Sequence, residues 1–318
     1  MFRCMTFILL ILFLSISFIY ADTSLRLRGG DCDAQNTGAW PAFGCNMART
    51  SRTAIAASMS GIKIQWTYNA GSTISGPAVE DHNQRIFFGT SSGYLYCLTA
   101  TGKLVWRFRA QNPIGKSAVI DDYGKIYFGD TGGYLYSLFF DGNLQWRSQL
   151  SGRINYGPGY DGSSTIYVVT DQSGSRLYAH RVNEPSYKWY KYDSGTYAYC
   201  DVVVDAQARS YITNYSSKTY YCWDRNGTEL WHKTMSWAYV WGLCLDEANS
   251  QMYSAAWNNS TNKHNIHAFN PANGDSLWTY ETTNQPTVPV AIDSQGRIYF
   301  GDTSYYFYCV TKDGAQAY

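Results

Sequence analysis

Six aspartates recur along the chain, each just after a short apolar stretch, and carboxylates in such a series could bind metal ions. Each aspartate, however, begins a predicted turn between two strands, where Asp commonly accepts hydrogen bonds from its own backbone. The recurrence therefore favours a turn role, and no metal site is predicted. These residues are Asp81, Asp121, Asp161, Asp205, Asp246 and Asp293.

Histidine and serine patterns typical of catalysis are absent from the sequence. It contains no Cys-x-x-Cys, no zinc motif, no phosphate-binding loop and no Ser/His/Asp spacing. His264 and His267 flank a predicted strand and are interpreted as surface or turn residues. These observations weigh against an enzyme, and no catalytic residue is predicted.

Aromatic side chains cluster in the predicted loops of the third to fifth repeats. Tyr and Trp at such positions suit stacking on sugar rings or gripping a peptide. Lys116 and Arg153, on neighbouring loops, would donate hydrogen bonds to a carboxylate or a sugar hydroxyl. Ordinary packing between repeats is the alternative interpretation. The aromatic residues are Tyr156, Tyr197, Tyr199, Trp237, Tyr239, Trp241 and Trp257.

A repeat of about 40 residues positions these loops. Each unit has a short apolar strand, a strand ending near Gly, a Tyr-rich strand and a turn that leads to Trp. A unit of this size cannot bury its apolar face alone and must stack on its neighbours. Each Trp is predicted to pack between adjacent units and donate its N–H to a backbone acceptor. The series is Trp66, Trp106, Trp146, Trp189, Trp231 and Trp278, at intervals of 40, 40, 43, 42 and 47 residues.

Two stretches resemble the pyrroloquinoline-quinone (PQQ)-type propeller repeat. They run from Tyr96 to Trp106 and from His267 to Trp278, and Trp40–Thr50 is similar to the opening segment of such chains. The resemblance covers residues 40–318 and implies an all-β propeller of four-stranded antiparallel blades. Dehydrogenases of that family hold PQQ with Ca²⁺ against a disulfide of adjacent cysteines. No adjacent cysteine pair is present here, so no cofactor is expected, and a quinone-dependent oxidoreductase stays the enzymatic alternative.

The strand sets predict six blades over residues 61–318. An outer strand at 63–68 would complete the last blade, because an unpaired edge is then avoided. Seven blades, with residues 22–60 contributing, or an open or truncated ring are the alternatives.

The first 21 residues have the pattern of a signal peptide, with Arg3 before an apolar run at 7–19. An uncleaved anchor is the alternative, and no second run of spanning length follows. Residues 22–60 form an irregular leader with a candidate Cys32–Cys45 disulfide. Four sequons in predicted turns agree with secretion: Asn214, Asn226, Asn258 and Asn259.

Five further cysteines lie in the repeats. Cys97, Cys222 and Cys309 share a repeat position that elsewhere holds Ser or Ala, so they are predicted core residues. Cys200 and Cys244 lie on the first strands of adjacent repeats, where they could meet.

The composition and net charge limit the classes of partner that the protein could bind. Aromatic residues make up 17% of the chain and charged residues 15%, as expected for strands buried on both faces. A net charge of +1 gives no field that would attract nucleic acid. The sequence therefore predicts a secreted, non-catalytic propeller that binds an extracellular glycan or peptide at its aromatic loops. A structural cell-surface or matrix protein is the other alternative, and the oligomeric state is left open.

Overall fold

The computed structural model describes residues 63–172, 174–193, 200–235, 238–258, 261–286 and 290–317. Within these ranges the chain forms strands and turns in six antiparallel sheets, five of four strands and one of three. Sheets 1 and 2 contain β1 (Val79–Glu80), β2 (Ile86–Gly89), β3 (Tyr94–Leu98), β4 (Leu104–Arg109), β5 (Val119–Ile120), β6 (Ile126–Gly129), β7 (Tyr134–Leu138) and β8 (Leu144–Gln149).

The four later sheets follow the same order of strands, and the last of them has three strands. Sheets 3 and 4 contain β9 (Gly159–Tyr160), β10 (Thr165–Thr170), β11 (Ser175–Arg181), β12 (Tyr187–Asp193), β13 (Val203–Val204), β14 (Ser210–Asn214), β15 (Thr219–Trp223) and β16 (Glu229–Thr234). Sheets 5 and 6 contain β17 (Ala238–Asp246), β18 (Gln251–Asn258), β19 (Lys263–Phe269), β20 (Ser276–Thr282), β21 (Ala291–Ile292), β22 (Ile298–Gly301) and β23 (Phe307–Val310).

The core lies between successive sheets. One buried cluster joins Val79, Phe87 and Leu95 of sheet 1 to Ile126 and Phe128 of sheet 2, and equivalent clusters join the later sheets. Both faces of each inner strand are therefore buried, which agrees with the apolar inner strands of the sequence. The all-β propeller fold predicted from the repeat is confirmed.

Each repeat Trp contacts the next sheet in the same way. Its indole N–H donates to a carbonyl oxygen in the turn that follows the third strand of that sheet, at 2.8–3.3 Å. The ring also lies against a turn glycine in five of the six cases, as Trp106 does against Gly142. The pairs are Trp66–Ala100, Trp106–Phe140, Trp146–Val182, Trp189–Arg225, Trp231–Pro271 and Trp278–Lys312.

The recurring aspartates close turns, as the sequence predicts. The Oδ1 atom of Asp121 accepts hydrogen bonds from the N–H groups of Tyr123 and Lys125, both at 2.9 Å. Asp81, Asp161, Asp205 and Asp293 accept from the corresponding N–H groups, and Asp246 accepts from Asn249.

The segment before sheet 1 corrects the prediction of a closing strand. Residues 63–68 form no strand, although Tyr68 packs against Phe88 and Tyr96 as Phe108 of β4 packs against sheet 2. The fourth-strand position of sheet 6 is approached instead by residues that follow β23, since Val310 pairs with Gln316. Six sheets are described, and the number of blades stays a prediction.

None of the five described cysteines forms a disulfide. Cys97 and Cys222 are fully buried, as predicted, whereas Cys309 is only half-buried. Cys200 and Cys244 do not pair with each other. The N–H of Thr213 donates to the Cys200 sulfur at 3.0 Å, and the Cys244 thiol donates to the Val290 carbonyl at 3.6 Å. The suggested Cys32–Cys45 disulfide lies outside the described residues, as do the signal peptide and the leader.

Candidate functional site

One face of the molecule carries both the connections into the first strands and the hairpins between the second and third strands. Ile114 pairs with Asp130, Arg153 with Asp171, and Ala238 with Asn258, each joining such a connection to such a hairpin. These pairings define a common face. It is termed the hairpin face below.

Sheet 5 extends further at this face than the sheets of 40-residue repeats. Its first three strands have nine, eight and seven residues, against two, four and five in sheet 2. Pairing in sheet 2 ends at Ile114–Asp130, whereas in sheet 5 it continues through Ala238–Asn258. Tyr127 of sheet 2 and Tyr253 of sheet 5 occupy equivalent positions in their second strands. Counted from these two residues, sheet 5 continues for two more residue pairs than sheet 2, or about 7 Å of strand. The 47-residue interval before Trp278 supplies the extra length.

The extension carries a row of four aromatic rings, which we term the aromatic ladder: Tyr215, Tyr239, Trp257 and His264. Tyr239 lies opposite Trp257 across β17 and β18, and Trp257 lies opposite His264 across β18 and β19. Successive ring centroids are 4.7, 5.6 and 6.0 Å apart, with interplanar angles of 26°, 24° and 15°. All four side chains are half-buried. The ladder is therefore a half-exposed row of nearly parallel rings.

Two further side chains adjoin the ladder. The ammonium of Lys218 lies 4.4 Å from the centre of the Tyr239 ring, within the range of a cation–π contact. Trp241 packs at 56° to Tyr215, with the centroids 6.3 Å apart. Burial lowers the pKa of His264, so the end of the ladder is neutral at physiological pH.

The hairpin that carries Tyr215 and Lys218 is fixed by a carboxylate of sheet 3. Asp193 Oδ2 accepts hydrogen bonds from Asn214 Nδ2 at 2.9 Å, from Ser217 Oγ at 2.9 Å and from the Tyr221 hydroxyl at 2.8 Å. Because three donors converge on this oxygen, the hairpin is held in one conformation. The ladder is thus preorganised at its sheet 4 end.

A second group of predicted residues lies elsewhere on the hairpin face. Lys116 Nζ donates to Asp201 Oδ2 at 3.1 Å and lies 5.5 Å from the Tyr156 ring, while the Gly157 N–H donates to Asp201 Oδ1. Arg153 pairs with Asp171, with 3.5 Å between its Nε atom and Oδ1. Both predicted donors are therefore already engaged with carboxylates of the protein, which weakens their role as ligand donors.

The structure thus brings together only some of the predicted binding residues. Tyr239, Trp241 and Trp257 share the ladder region, whereas Tyr156, Lys116 and Arg153 form the separate group around Asp201 and Asp171. Tyr197, Tyr199 and Trp237 lie outside the described residues. Sequence reasoning missed Tyr215, Lys218 and His264, although the long interval between Trp231 and Trp278 pointed to added structure in sheet 5.

The two histidines of β19 correct the surface interpretation. His264 stacks in the ladder, and His267 is almost fully buried between sheets 4 and 5. His267 Nδ1 lies 3.1 Å from the Tyr220 hydroxyl and Nε2 lies 2.9 Å from Ser276 Oγ. Burial lowers the pKa of His267 to about 4, so it is a neutral structural residue at physiological pH.

The donor set in the described part of the chain does not fit a calcium-bound quinone. None of its cysteines is disulfide-bonded, and the recurring aspartates already accept turn N–H groups. Across the described ranges, no group of three or more His, Cys, Asp or Glu side chains is placed to hold a metal ion.

Comparison with known proteins gives the class and then the family. The computed structure is similar to BamB of Moraxella catarrhalis, with a TM-score of 0.61, 19% identity, and 81% of this chain and 80% of that chain covered. It also resembles the designed protein Ika8 (TM-score 0.63, 11% identity, 77% and 73% covered). The Cps50 (Swd1) β-propeller domain of Myceliophteria thermophila gives a TM-score of 0.58 at 11% identity, with 78% and 87% covered. At these identities the likenesses establish the fold alone.

The profile of the family described as outer membrane protein assembly factor BamB, which is built of PQQ-like repeats, matches residues 53–189 and 91–238. The chain belongs to this family. No curated protein sequence matches the chain. Fold and family together define a β-propeller protein of the scaffold or binding type. Among the described residues, no helix is both long enough and apolar enough to cross a membrane.

Proposed function

We propose that this protein is a secreted β-propeller scaffold that binds an extended segment of an extracellular protein partner along the aromatic ladder. The observation that carries the proposal is the ladder itself, because sheet 5 extends beyond its neighbours to present half-exposed rings. Tyr and Trp dominate the binding energy of protein interfaces, and surface segments placed on a rigid scaffold commonly carry function.

The ring geometry favours a polypeptide over a glycan. A sugar stacks on an open ring face, but the faces of Tyr239 are occupied by Tyr215, Trp257 and the Lys218 ammonium. What remains accessible is a ridge of ring edges with polar tips. Such a ridge suits the apolar side chains and backbone groups of an extended peptide.

Replacing Trp257 with alanine is expected to weaken peptide binding about 30-fold, since it removes one of the two inner rings of the ladder. Peptides would be selected on the full-length secreted protein from a random linear peptide library, and their affinities measured by calorimetry. Tyr190→Ala is the matched control, because Tyr190 is 48% exposed and stacks on Tyr178, on the outer strand of sheet 3. Its affinities should equal those of the wild type.

Three results would overturn the proposal. Selected peptides that bind Trp257→Ala as well as wild type would place the site elsewhere. Trp257-dependent binding on a glycan array, with no peptide selected, would show that the partner is a glycan and not a polypeptide. Self-association or matrix binding without any saturable ligand would support the structural alternative instead.

The described sequons differ in their capacity for a glycan. Asn214 is fully buried at the end of β14 and its Nδ2 donates to Asp193, so we expect no glycan there. Asn258, the last residue of β18, is half-buried and its Oδ1 accepts the Thr261 N–H, whereas Asn226 is exposed in the turn between β15 and β16. Asn259 lies outside the described residues.

The accessible sequon supports secretion and gives a further prediction. In protein secreted from a glycosylating cell, Asn226→Gln should remove one glycan, seen as one step in glycosidase-sensitive mass. Asn214→Gln should leave the glycan mass unchanged, because the wild-type side chain is buried and hydrogen-bonded. A glycan found on Asn214 by peptide mapping would contradict the described packing of β14.

A further inference from the structure

The turn between the second and third strands requires a left-handed residue, and Lys218 is an unexpected choice for it. At the corresponding position sheets 1 and 2 use Gly93 and Gly133, with φ of 80° and 88°. Lys218 has φ of 58°, a region that costs a residue with a Cβ atom free energy that glycine avoids. Strained non-glycine residues cluster at functional sites.

The ammonium of Lys218 has an aromatic neighbour. It lies over the Tyr239 ring, and within the described ranges it forms no ion pair. The nearby carboxylate of Asp193 accepts hydrogen bonds from Asn214, Ser217 and Tyr221 instead. The cation is therefore presented beside the ladder, where a carboxylate could approach it.

The Lys218 backbone is held on both sides. Its N–H donates to the Tyr215 carbonyl at 3.3 Å, and its carbonyl accepts the Met235 N–H at 2.8 Å. Because the hairpin is also tied to Asp193, the ammonium is preorganised relative to the rings. An oriented cation next to an apolar ridge gives a ligand two linked requirements, an anionic group and an apolar contact.

We propose that the partner segment carries an aspartate or glutamate side chain that pairs with Lys218 Nζ, next to the residues that pack on the ladder. This inference rests on the proposed function and specifies its partner. A half-exposed pair of this kind contributes modest affinity and strong selectivity, since a like charge at the same place is repelled.

The test is a parallel peptide selection on wild type, Lys218→Glu and Lys218→Gly. Wild type should enrich Asp and Glu at one position of the selected peptides, and Lys218→Glu should enrich Lys and Arg there. Lys218→Gly should bind the acidic wild-type peptides about fivefold more weakly. Its melting temperature should equal or exceed that of wild type, because glycine relieves the left-handed backbone.

Tyr305→Gly is the matched control. Tyr305 occupies the corresponding turn of sheet 6 with φ of 71° and is fully exposed, so the substitution gives the same backbone relief without touching the ladder. Its peptide selection should equal that of wild type.

Failure of this inference and failure of the proposed function are distinguishable. Peptides that depend on Trp257 but show no acidic enrichment, or no reversal with Lys218→Glu, would overturn the role of Lys218 and keep the ladder. Peptides that do not depend on Trp257 would overturn both. A Lys218→Gly variant that loses stability and keeps acidic selection would assign Lys218 a structural role.

Discussion

Replacing Glu80 with isoleucine is expected to stabilise the protein by about 3 kcal/mol at pH 7, and by much less at pH 5. Glu80 pairs with Ile86 in sheet 1 as Ile120 pairs with Ile126 in sheet 2 and Ile292 with Ile298 in sheet 6. Only 8% of the Glu80 side chain is exposed, and its Oε2 atom has no hydrogen-bond partner in the described structure. A carboxylic acid therefore lies where other sheets bury an apolar side chain.

The pH dependence follows from the direction of the pKa shift. Desolvation, together with the neighbouring Asp81 carboxylate, raises the pKa of Glu80 to about 8. In the unfolded chain the Glu80 carboxyl ionises near pH 4.5. Between about pH 4.5 and 8, folding therefore requires this carboxyl to take up a proton. The free energy of unfolding is therefore highest, as far as Glu80 is concerned, below about pH 4.5, and it falls as the pH rises towards 8. An isoleucine is indifferent to pH and fills the same place.

Urea unfolding of wild type and Glu80→Ile at pH 5, 7 and 8.5 would measure the difference in free energy directly. Glu80→Gln is the matched control, because it removes the ionisation and keeps the polar side chain. It should flatten the pH dependence without the packing gain. A Glu80→Ile difference that is constant over this pH range would contradict a buried, neutral carboxyl.

The second large effect is expected at the contact between adjacent blades. Gly142 has φ of 88°, and a Cβ atom there would lie 2.6 Å from the Trp106 ring. Alanine would add a left-handed backbone penalty of about 1 kcal/mol and would displace an indole whose N–H donates to Phe140. We expect Gly142→Ala to cost about 3 kcal/mol of unfolding free energy.

Gly124→Ala separates the two causes within the same sheet. Gly124 has a similar φ of 77°, but the nearest atom to an added Cβ is 3.6 Å away, at ordinary contact distance. This control should therefore lose only the backbone term of about 1 kcal/mol. Urea unfolding together with the red shift of tryptophan fluorescence would report both stability and displacement of Trp106. Equal losses in the two variants would show that the ring contact contributes nothing.

The contact between sheets 4 and 5 shows what a repeat pattern leaves undetermined. Where sheet 2 stacks Phe128 on Tyr136, sheet 5 has Ser254 and His267. Tyr220 of sheet 4 fills the space and contacts both of them through its hydroxyl. Each substitution alone looks like a departure from the repeat. Together they are complementary, because the large Tyr220 side chain of sheet 4 packs and hydrogen-bonds against the smaller Ser254 and the polar His267 of sheet 5. Only the packing of the two sheets shows this.

The predicted binding residues divide for a similar reason. The sequence placed aromatic residues on loops of the third to fifth repeats. It could not show that Lys116 would pair with Asp201, or that Tyr239 would lie between Tyr215 and Trp257. Those contacts depend on how far β17 and β18 extend beyond the neighbouring sheets.

The sequence by itself determined the antiparallel sheets, the Trp contacts with the turns of the next sheet and the Asp-closed turns. These features are local and periodic, so the spacing of residue types within one repeat is enough to predict them. The tertiary structure alone decided the aromatic ladder, the buried Glu80 and Asn214, and the position of the Lys218 ammonium over the Tyr239 ring. Each of these depends on which side chains from different strands and sheets become neighbours, and such pairs are brought together only when the sheets pack.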